Sequence, residues 1–340
     1  MPSKSKHSKP TSHNLFDQLL SESLFPPLQV LPNGKALPAL FSKSRRAGLY
    51  LLLFETNEIY IGQTRTPQVR LRNHKKTYHD IVAATFKRVL IRDLDAEEEK
   101  AIKTFEKFGF KVRNVTHASR PSGPSKFDDV ISMEDQELFL AGRAQPCGHV
   151  RSDLTEVRRK SVTNYSKFSL LPHASKMLVI VAAYGWATLP MPSLTEVGYW
   201  CITCLPGGRA KGVGRSIFTR LNINKQEVFN IADREGIHTN FFVARSALEV
   251  AWGIEFEEHN HDPDEIFAMP DSYIYKPGGY DQIRVVAEGL AATSRLLKDE
   301  GFIAAARLFN LNLMRKGSNF YPQNHCPQIA DVIFDKKRRR

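Results

Sequence analysis

The spacing of apolar residues changes several times in the first third of the chain, and each period predicts an element. Between residues 15 and 20 the apolar positions recur at helical spacing, which predicts a short helix packed against the segment that follows. The apolar runs 49–54 and 58–62 flank a polar stretch and predict the two strands of a hairpin. A further run, 81–91, is rich in β-branched and apolar residues and predicts a third strand.

The length of the hairpin loop decides which side chains share a face of the sheet. Tyr50 and Tyr60 point to the same face only if the loop holds an odd number of residues, because side chains alternate along a strand. A three-residue loop, Thr56-Asn57-Glu58, satisfies this parity. We therefore expect the two phenols to lie side by side.

Two helices are predicted after the hairpin. Thr66 followed by Pro67 is typical of a helix start, so a helix should run from Pro67 to about Lys75. In this helix Arg70 and His74 are one turn apart and share a face.

The second helix should begin near residues 93–95 and end before Gly109. Its apolar residues define the inward face: Ala101, Ile102, Phe105 and Phe108. Glu98 shares that face, whereas Glu99 aligns with Lys103 on the outer face. Periodicity therefore selects Glu98 as a carboxylate that points inward.

The rest of the chain predicts a second domain of the α+β class. Proline, serine and glycine are frequent in 118–130, which predicts a linker. The expected organisation is a basic arm with a short helix at 1–45, a first domain at 46–117, a second domain at 131–335 and a basic tail at 336–340. In the second domain we expect helices near 132–142, 225–235, 243–252, 281–298 and 301–314, and strands near 178–183, 197–205 and 215–223.

The chain of 340 residues carries a net charge of +12 that is unevenly distributed. Residues 1–126 hold 22 basic and 11 acidic side chains, whereas residues 127–335 hold 21 basic and 25 acidic ones. The tail 336–340 is entirely basic. Excess positive charge on the first part is expected of a protein that meets a phosphate backbone. A solvated basic face has the same composition, so charge alone leaves the partner open.

Chemically informative residues of the first domain occur in a recognisable order. They are, along the chain, Gly48-Leu49-Tyr50, Tyr60-Ile61-Gly62, Arg70, His74, Glu98 and Asn114. This order resembles the GIY-YIG nuclease family over residues 46–117, about a fifth of the chain. The resemblance implies a small mixed-sheet catalytic domain that hydrolyses phosphodiester bonds with a divalent metal, Mg²⁺ or Mn²⁺.

The resemblance also implies a role for each side chain. Glu98 would bind the metal, Arg70 would stabilise the charge that develops on phosphorus, and Tyr50 would activate water with His74 or Tyr60. A phenol with an ordinary pKa near 10 is almost fully protonated at neutral pH, so a neighbour must lower it. We expect Arg70 and the metal to do so, and all these groups to converge on one cleft.

Three details qualify the resemblance. Asn114 matches the late asparagine of the family, which supports the site by hydrogen bonds. Leu49 stands where the signature has isoleucine. The spacing to Asn114 does not decide between Glu98 and Glu99 as the metal ligand, so the preference for Glu98 comes from periodicity.

Basic residues in two regions are candidates for contacting DNA. The candidates are Arg65, Arg72, Lys75 and Lys76 in the first domain and Arg209, Lys211 and Arg215 in the second. The second group lies in 197–226, which contains five basic residues and no acidic one. An exposed loop and a basic hairpin that enters a groove both have this composition.

The four cysteines argue against a disulfide scaffold and favour a reducing compartment, the cytoplasm. Cys201 and Cys204 have the spacing of zinc ligands, and further ligands are available at Cys147, His149, His325 and Cys326. Residues three apart on a strand face opposite sides, so we prefer buried thiols to a zinc site.

These features predict an endonuclease that cuts double-stranded DNA and uses its second domain for specificity. Restriction, mobile-element and repair roles all fit this layout, and we favour restriction or another defence role because the second domain shows no signature of a known DNA-repair module. No apolar run is long enough to span a membrane. One site with one metal cuts one strand at a time, so a homodimer would supply the second cut. The alternatives are a DNA-binding protein that uses a nuclease-like fold as a docking platform, and a protein whose second domain mainly contacts other proteins.

Overall fold

The computed structural model describes residues 12–30, 47–65, 67, 70, 74, 78–114, 118–143, 151–206, 216–253, 265–269 and 275–338. The chain divides into two compact units, Met1–Gly123 and Pro124–Arg340. Both contain helices and antiparallel strands, so the fold belongs to the α+β class. Within the described residues, none of the helices combines the length and the apolar character that crossing a bilayer requires.

The first unit is built around a four-stranded sheet. Its elements are α1 Ser12–Glu22, β1 Gln29–Val30, β2 Gly48–Phe54, β3 Ile59–Thr64, β4 Ile81–Arg88 and α2 Leu94–Lys107. The strands pair antiparallel in the order β1-β4-β2-β3. Val112 forms an isolated parallel bridge to Ile59 on the outer edge of β3, but the four strands themselves are antiparallel, so the described sheet is not the mixed sheet that was expected. Strand β4 ends earlier than its apolar run predicts, at Arg88.

The hairpin between β2 and β3 has a three-residue loop, 55–57, because Glu58, just before β3, lies opposite Phe54. The backbone N–H of Phe54 donates to the carbonyl of Glu58 (3.0 Å) and closes the loop. The last loop residue has a φ of 61°, a left-handed conformation that asparagine tolerates. The loop lies one residue earlier than predicted, but its odd length puts Tyr50 and Tyr60 on the same face.

The two faces of this sheet bury different side chains. The face that packs against α1 and α2 carries Leu49, Leu51, Ile59 and Ile61. The opposite face carries Tyr50, Leu52, Phe54 and Ala84, with Tyr60 packed beside them. This division follows from the alternation of side chains along β2 and β3, and it determines which candidate residues can meet.

Helix α2 buries the face that its periodicity predicts. The buried residues are Leu94, Glu98, Ala101, Ile102 and Phe105. Gly109 follows with a φ of 87°, the left-handed conformation expected just after a helix end. Phe108 was expected on the inward face but is 46% exposed, because the helix ends there and the side chain leaves the apolar stripe.

The second unit contains a six-stranded antiparallel sheet in the order β5-β6-β7-β8-β10-β9. Its strands are β5 Trp200–Cys204, β6 Ser216–Ile223, β7 Gln226–Asp233, β8 Ile237–Val243, β9 Ile266–Met269 and β10 Ile283–Glu288. Its helices are α3 Met133–Leu140, α4 Thr155–Ser169, α5 Ala174–Thr188, α6 Pro192–Thr195, α7 Arg245–Trp252, α8 Gly289–Leu296, α9 Glu300–Arg315 and α10 Pro327–Phe334. Helix α5 packs against both α9 and α10, and all three helices share one apolar core with the sheet.

Three predictions in the second unit were wrong. The expected strand 178–183 lies inside helix α5, whose apolar residues are buried on several sides and show no helical stripe. The expected helix 225–235 is strand β7, which is buried on both faces and therefore does not alternate. The expected helix 281–298 divides into strand β10 and helix α8 at Gly289, whose φ is 78°.

The predicted linker 118–130 contains the division between the units, but it is packed rather than extended in solvent. Ala118 belongs to the apolar core of the first unit, and Phe127 to that of the second. Its N-terminal end therefore folds with the first unit and its C-terminal end with the second.

Helix α1 contributes directly to the core of the first unit, so truncating Phe16 should loosen the hairpin. Its ring lies 5.8 Å from that of Phe105 and 5.2 Å from that of Phe110. Phe16→Ala should cost about 3 kcal/mol, which corresponds to about 100-fold less protection of β2 and β3 amides in hydrogen–deuterium exchange. Leu24→Ala is the control, because that side chain is 79% exposed. Equal protection in the two variants would contradict this packing role.

Candidate active site

Tyr50 is fully buried in β2 and lies across Gly62 on the neighbouring strand. The two residues are paired in the sheet register. A Cβ atom added to Gly62 would lie 2.3 Å from the Tyr50 hydroxyl oxygen, closer than any side chain tolerates. Glycine is therefore required here so that the phenol can approach the backbone of β3.

The Tyr50 hydroxyl is the centre of a hydrogen-bonded chain with His74 and Arg70. Its oxygen lies 2.6 Å from Nε2 of His74, and Nε of Arg70 donates to it at 3.2 Å. The backbone is helical at Pro67, Arg70 and His74, in agreement with the predicted helix. One helical turn therefore presents both side chains to the same phenol.

Burial sets the protonation of this chain. Burial, reinforced by the charge of Arg70, lowers the pKa of His74 to about 4, so its imidazole is neutral at pH 7. Burial also raises the pKa of Tyr50 well above 10, and Tyr60 adds to this effect, whereas Arg70 opposes it less strongly. Arg70 lowers the pKa of Tyr50, as expected, but burial raises it more, so the net shift is upward. The Tyr50 hydroxyl is thus protonated and donates to Nε2 of His74. The further lowering expected from a metal stays a prediction.

Two more tyrosines surround the imidazole. The rings of Tyr50 and Tyr60 are stacked with centroids 5.9 Å apart, and Tyr60 lies 4.7 Å from His74. Tyr78, which the sequence interpretation missed, stacks on His74 at 5.8 Å. Its backbone N–H donates to the carbonyl of His74 (2.7 Å), so the spacing of four residues was the available signal.

Asn114 holds the backbone of β3 in place. Its Oδ1 accepts from the N–H of Ile61 (2.9 Å), and its Nδ2 donates to the carbonyl of the same residue. Two hydrogen bonds to one residue extend the sheet beyond its edge strand and fix the position of Ile61 between Tyr60 and Gly62. Asn114 therefore orients the strand that carries Tyr60.

Glu98 lies on the other side of the sheet from the tyrosines. Helix α2 packs against the face of Leu49 and Ile61, and Glu98 points toward that face. Its Oε2 accepts from Nε2 of Gln63 (2.9 Å), which also donates to Oδ1 of Asp95 (2.5 Å). The predicted convergence is therefore incomplete, because alternation along β3 sends Gln63 and Tyr60 to opposite faces.

The positions of Glu98 and Glu99 on helix α2 agree with those that the periodicity of the helix predicts. Glu98 is 6% exposed and faces the sheet. Glu99 is on the outer side of α2 and forms an ion pair with Lys103 (2.8 Å). Asp95 and Gln63 were missed, although Asp95 precedes Glu98 by three residues and therefore shares its face.

Of the seven candidate DNA-contacting residues, only Arg65 falls within the described residues, and it is exposed at the end of β3. The other six lie outside the described residues: Arg72, Lys75, Lys76, Arg209, Lys211 and Arg215. Their contribution to a DNA surface stays a prediction.

The cysteines of the second unit that the structure describes are buried free thiols. Cys201 donates to Oδ1 of Asn319 (3.5 Å). His325 accepts from the N–H of Ile202 (3.2 Å) through Nδ1, and its Nε2 lies 3.0 Å from Glu196. Among the described residues, no three His, Cys, Asp or Glu side chains are grouped to hold a metal. Cys147 and His149 lie outside them.

The lowered pKa of His74 predicts a pH dependence of stability. In the unfolded chain a histidine titrates near pH 6.5, and in the folded chain His74 titrates at about 4. The folded state therefore binds fewer protons between these values, so its stability is complete above pH 6.5 and falls as the pH decreases toward 4. The unfolding midpoint in urea should decrease between pH 7 and pH 5, and His74→Gln should remove much of this decrease.

His79→Gln serves as the control, because His79 is exposed and it should leave the pH dependence unchanged. The NMR signal of the His74 ring gives the direct measurement. A ring that takes up its proton near pH 6.5 would contradict the buried, hydrogen-bonded arrangement.

Neither a protein-family model, nor a curated protein, nor a solved structure matches this chain. The candidate site is therefore defined by its own contacts. A phenol, an imidazole and a guanidinium are joined on one face of the sheet, and a carboxylate pair lies on the other.

Proposed function

We propose that the protein is a metal-dependent endonuclease that hydrolyses phosphodiester bonds of double-stranded DNA. The observation that carries the proposal is the chain of hydrogen bonds from Arg70 through the Tyr50 hydroxyl to His74. A cation and a neutral imidazole that both contact a protonated phenol can supply the charge stabilisation and the proton transfer that phosphodiester hydrolysis uses.

Arg70 supplies the positive charge. Its hydrogen bond to Tyr50 raises the pKa of the guanidinium further, so it stays cationic. Its Nε donates to Tyr50, Tyr60 also interacts with the guanidinium, and the side chain is exposed. The exposed part of the guanidinium would bind a phosphate oxygen and stabilise the negative charge that develops there.

Tyr50 acts as a proton relay in this proposal. Burial opposes the formation of a phenolate, so Tyr50 does not carry a negative charge beforehand. The attacking water instead gives a proton to the Tyr50 oxygen while the Tyr50 proton passes to Nε2 of His74. His74 is neutral and can accept it, so the phenol remains neutral before and after the transfer.

Asp95 and Glu98 are the groups that would hold Mg²⁺ or Mn²⁺. Both carboxylates bind the same amide nitrogen of Gln63, so their oxygens lie close together, and oxygen ligands are those that Mg²⁺ prefers. Magnesium is commonly held by one or two carboxylates together with substrate phosphates. When bound, the metal supplies counter-charge to the phosphate.

The edge of β3 is where the two halves of the site approach each other. Gly62 faces the phenol, and its neighbour Gln63 faces the carboxylates. Strand β3 is the outer strand of the sheet, and among the described residues the segment along its edge reaches Ile61 through Asn114. We assign the scissile phosphate to the edge beside Gly62 and Gln63, where groups on both faces can reach it.

The second unit and the cellular role belong to the same proposal. A catalytic unit of this size has little surface for reading bases, so the second unit would supply specificity, in restriction or another defence role. The positive charge of residues 1–126 favours a nucleic-acid partner. Three described cysteines are free thiols, which suits the cytoplasm. A homodimer would cut both strands.

One observation favours a second candidate, a non-catalytic DNA-binding protein. Tyr50 is 0% exposed, and Glu98 faces the opposite side of the sheet. Without a movement that admits water to the phenol, these groups would stabilise the fold and Arg70 would only contact the DNA backbone. Cleavage assays decide between the two candidates.

Nicking of a supercoiled plasmid in Mg²⁺ or Mn²⁺ is the first measurement. Glu98→Gln should reduce the rate about 100-fold or more, because it removes a metal-binding charge. Glu99→Gln is the matched control, since it makes the same change one residue away on the outer face of α2, and its rate should stay within about threefold of the parent. Equal rates for the two variants would refute the assignment of Glu98.

Metal binding provides a second measurement that does not depend on cleavage. Mg²⁺ or Mn²⁺ at 100 times its dissociation constant should stabilise the parent by about 2.7 kcal/mol in thermal unfolding. Glu98→Gln should lose this stabilisation, whereas Glu99→Gln should keep it. Stabilisation that is equal in both variants would assign the metal to another site.

A further inference from the structure

The second unit contains a cavity of about 490 Å³ beside the edge strand β5. It is bounded by helix α4, by the end of β5, by β6 and β7, and by the turn that precedes helix α10. Ligand sites in proteins commonly have volumes of about 300–1,000 Å³. The cavity is therefore large enough for a small organic molecule, and none of the candidate nuclease residues that the structure describes lines it.

The cavity is positively charged. Three cations line it, Lys160, Arg220 and Lys225, and its only carboxylate among the described lining residues is Glu227. Glu227 is paired with Arg220 and also accepts from Asn230. The negative charge of Glu227 is therefore already compensated by Arg220, and the two lysines give the cavity its excess of positive charge.

Neither lysine has a carboxylate partner in the part of the chain that the structure describes. Lys160 is exposed on α4, and the ammonium group of Lys225 lies 5.1 Å from the ring of Phe320. Lysine ammonium groups bind phosphate as point charges. Two such groups on one cavity favour a ligand that carries a phosphate.

The remaining lining residues suit an aromatic, hydrogen-bonding group. Tyr275 and Tyr321 are half-buried in the wall and contribute aromatic surface. The amides of Gln323 and Asn324 are exposed, and within the described residues neither side chain forms a hydrogen bond. Carboxamides carry donors and acceptors together, which is the pattern that base edges complement.

We propose that this cavity binds a single nucleotide, with its phosphate on Lys160 and Lys225 and its base against the carboxamides and tyrosines. This inference rests on the proposed DNA substrate, because the nucleotide would be one turned out of the duplex into the second unit. Such extrusion lets a protein read a base on its hydrogen-bonding edge. It gives the second unit a direct means of recognition.

Binding of mononucleotides tests the cavity itself. Calorimetry on the full-length protein should detect dAMP, dCMP, dGMP or dTMP, and inorganic phosphate should bind more weakly because it lacks a base. The double variant Lys160→Ala and Lys225→Ala should bind at least about tenfold more weakly, because each lost contact is a hydrogen bond to a charged group.

The matched control for that variant is Lys167→Ala with Lys176→Ala, which removes the same charge from exposed positions on α4 and α5. It should bind nucleotides like the parent. Two results would overturn the proposal: no nucleotide binding by the parent, or equal losses in the two double variants, which would indicate a general charge effect.

A duplex with 2-aminopurine opposite an abasic site distinguishes an extruded nucleotide from a free one. Unstacking costs least at a damaged position, so the protein should turn this base out and raise its fluorescence. The rise should be lost in the Lys160→Ala and Lys225→Ala variant and kept in the control variant. Mononucleotide binding without a fluorescence rise would overturn the extrusion and leave a free nucleotide as the ligand.

The same experiments separate this inference from the proposed nuclease. Glu98→Gln should abolish cleavage but retain nucleotide binding and the fluorescence rise. Nucleotide binding that depends on Lys160 and Lys225, in a protein that cleaves no DNA, would uphold the cavity and reject the nuclease. Cleavage that depends on Glu98, in a protein that binds no nucleotide, would uphold the nuclease and reject the nucleotide-binding cavity.

Discussion

The first unit depends on the close approach of the buried Tyr50 phenol to Gly62, a residue of β3 that has no side chain. The Tyr50 hydroxyl occupies the space where any other residue at position 62 would put its Cβ. Because the phenol is buried, its hydrogen bonds must come from within the protein, and Arg70 and His74 supply them. The same burial keeps His74 neutral and Tyr50 protonated. The packing of Tyr50 against Gly62 thus determines the protonation states of both Tyr50 and His74.

The sheet divides the candidate site between its two faces. Strict alternation along β3 directs Tyr60 toward the phenol and Gln63 toward the carboxylates of Asp95 and Glu98. A strand in the middle of a sheet would keep such groups apart. At an outer strand a phosphate can contact both faces, so the position of β3 in the strand order is what makes a composite site geometrically feasible.

Local periodicity predicted much of the first unit. It predicted the inward position of Glu98, the shared face of Arg70 and His74 and the parity of the two tyrosines. It could not predict which face of the sheet α2 covers, because that depends on long-range packing, and therefore it missed the separation of Glu98 from the phenols. It also failed for strand β7 and helix α5. Both elements are buried on several sides, so they lack the regularly spaced polar positions that distinguish a strand from a helix in sequence.

The proposed function places the scissile phosphate at the edge of β3, between the Tyr50 group and the carboxylate pair. A crystal structure of the Glu98→Gln variant with bound DNA tests this position directly. We expect a backbone phosphate beside Gly62 and Gln63, with an oxygen about 3 Å from the Arg70 guanidinium. A DNA backbone that crosses another surface and leaves Arg70 in solvent would contradict it.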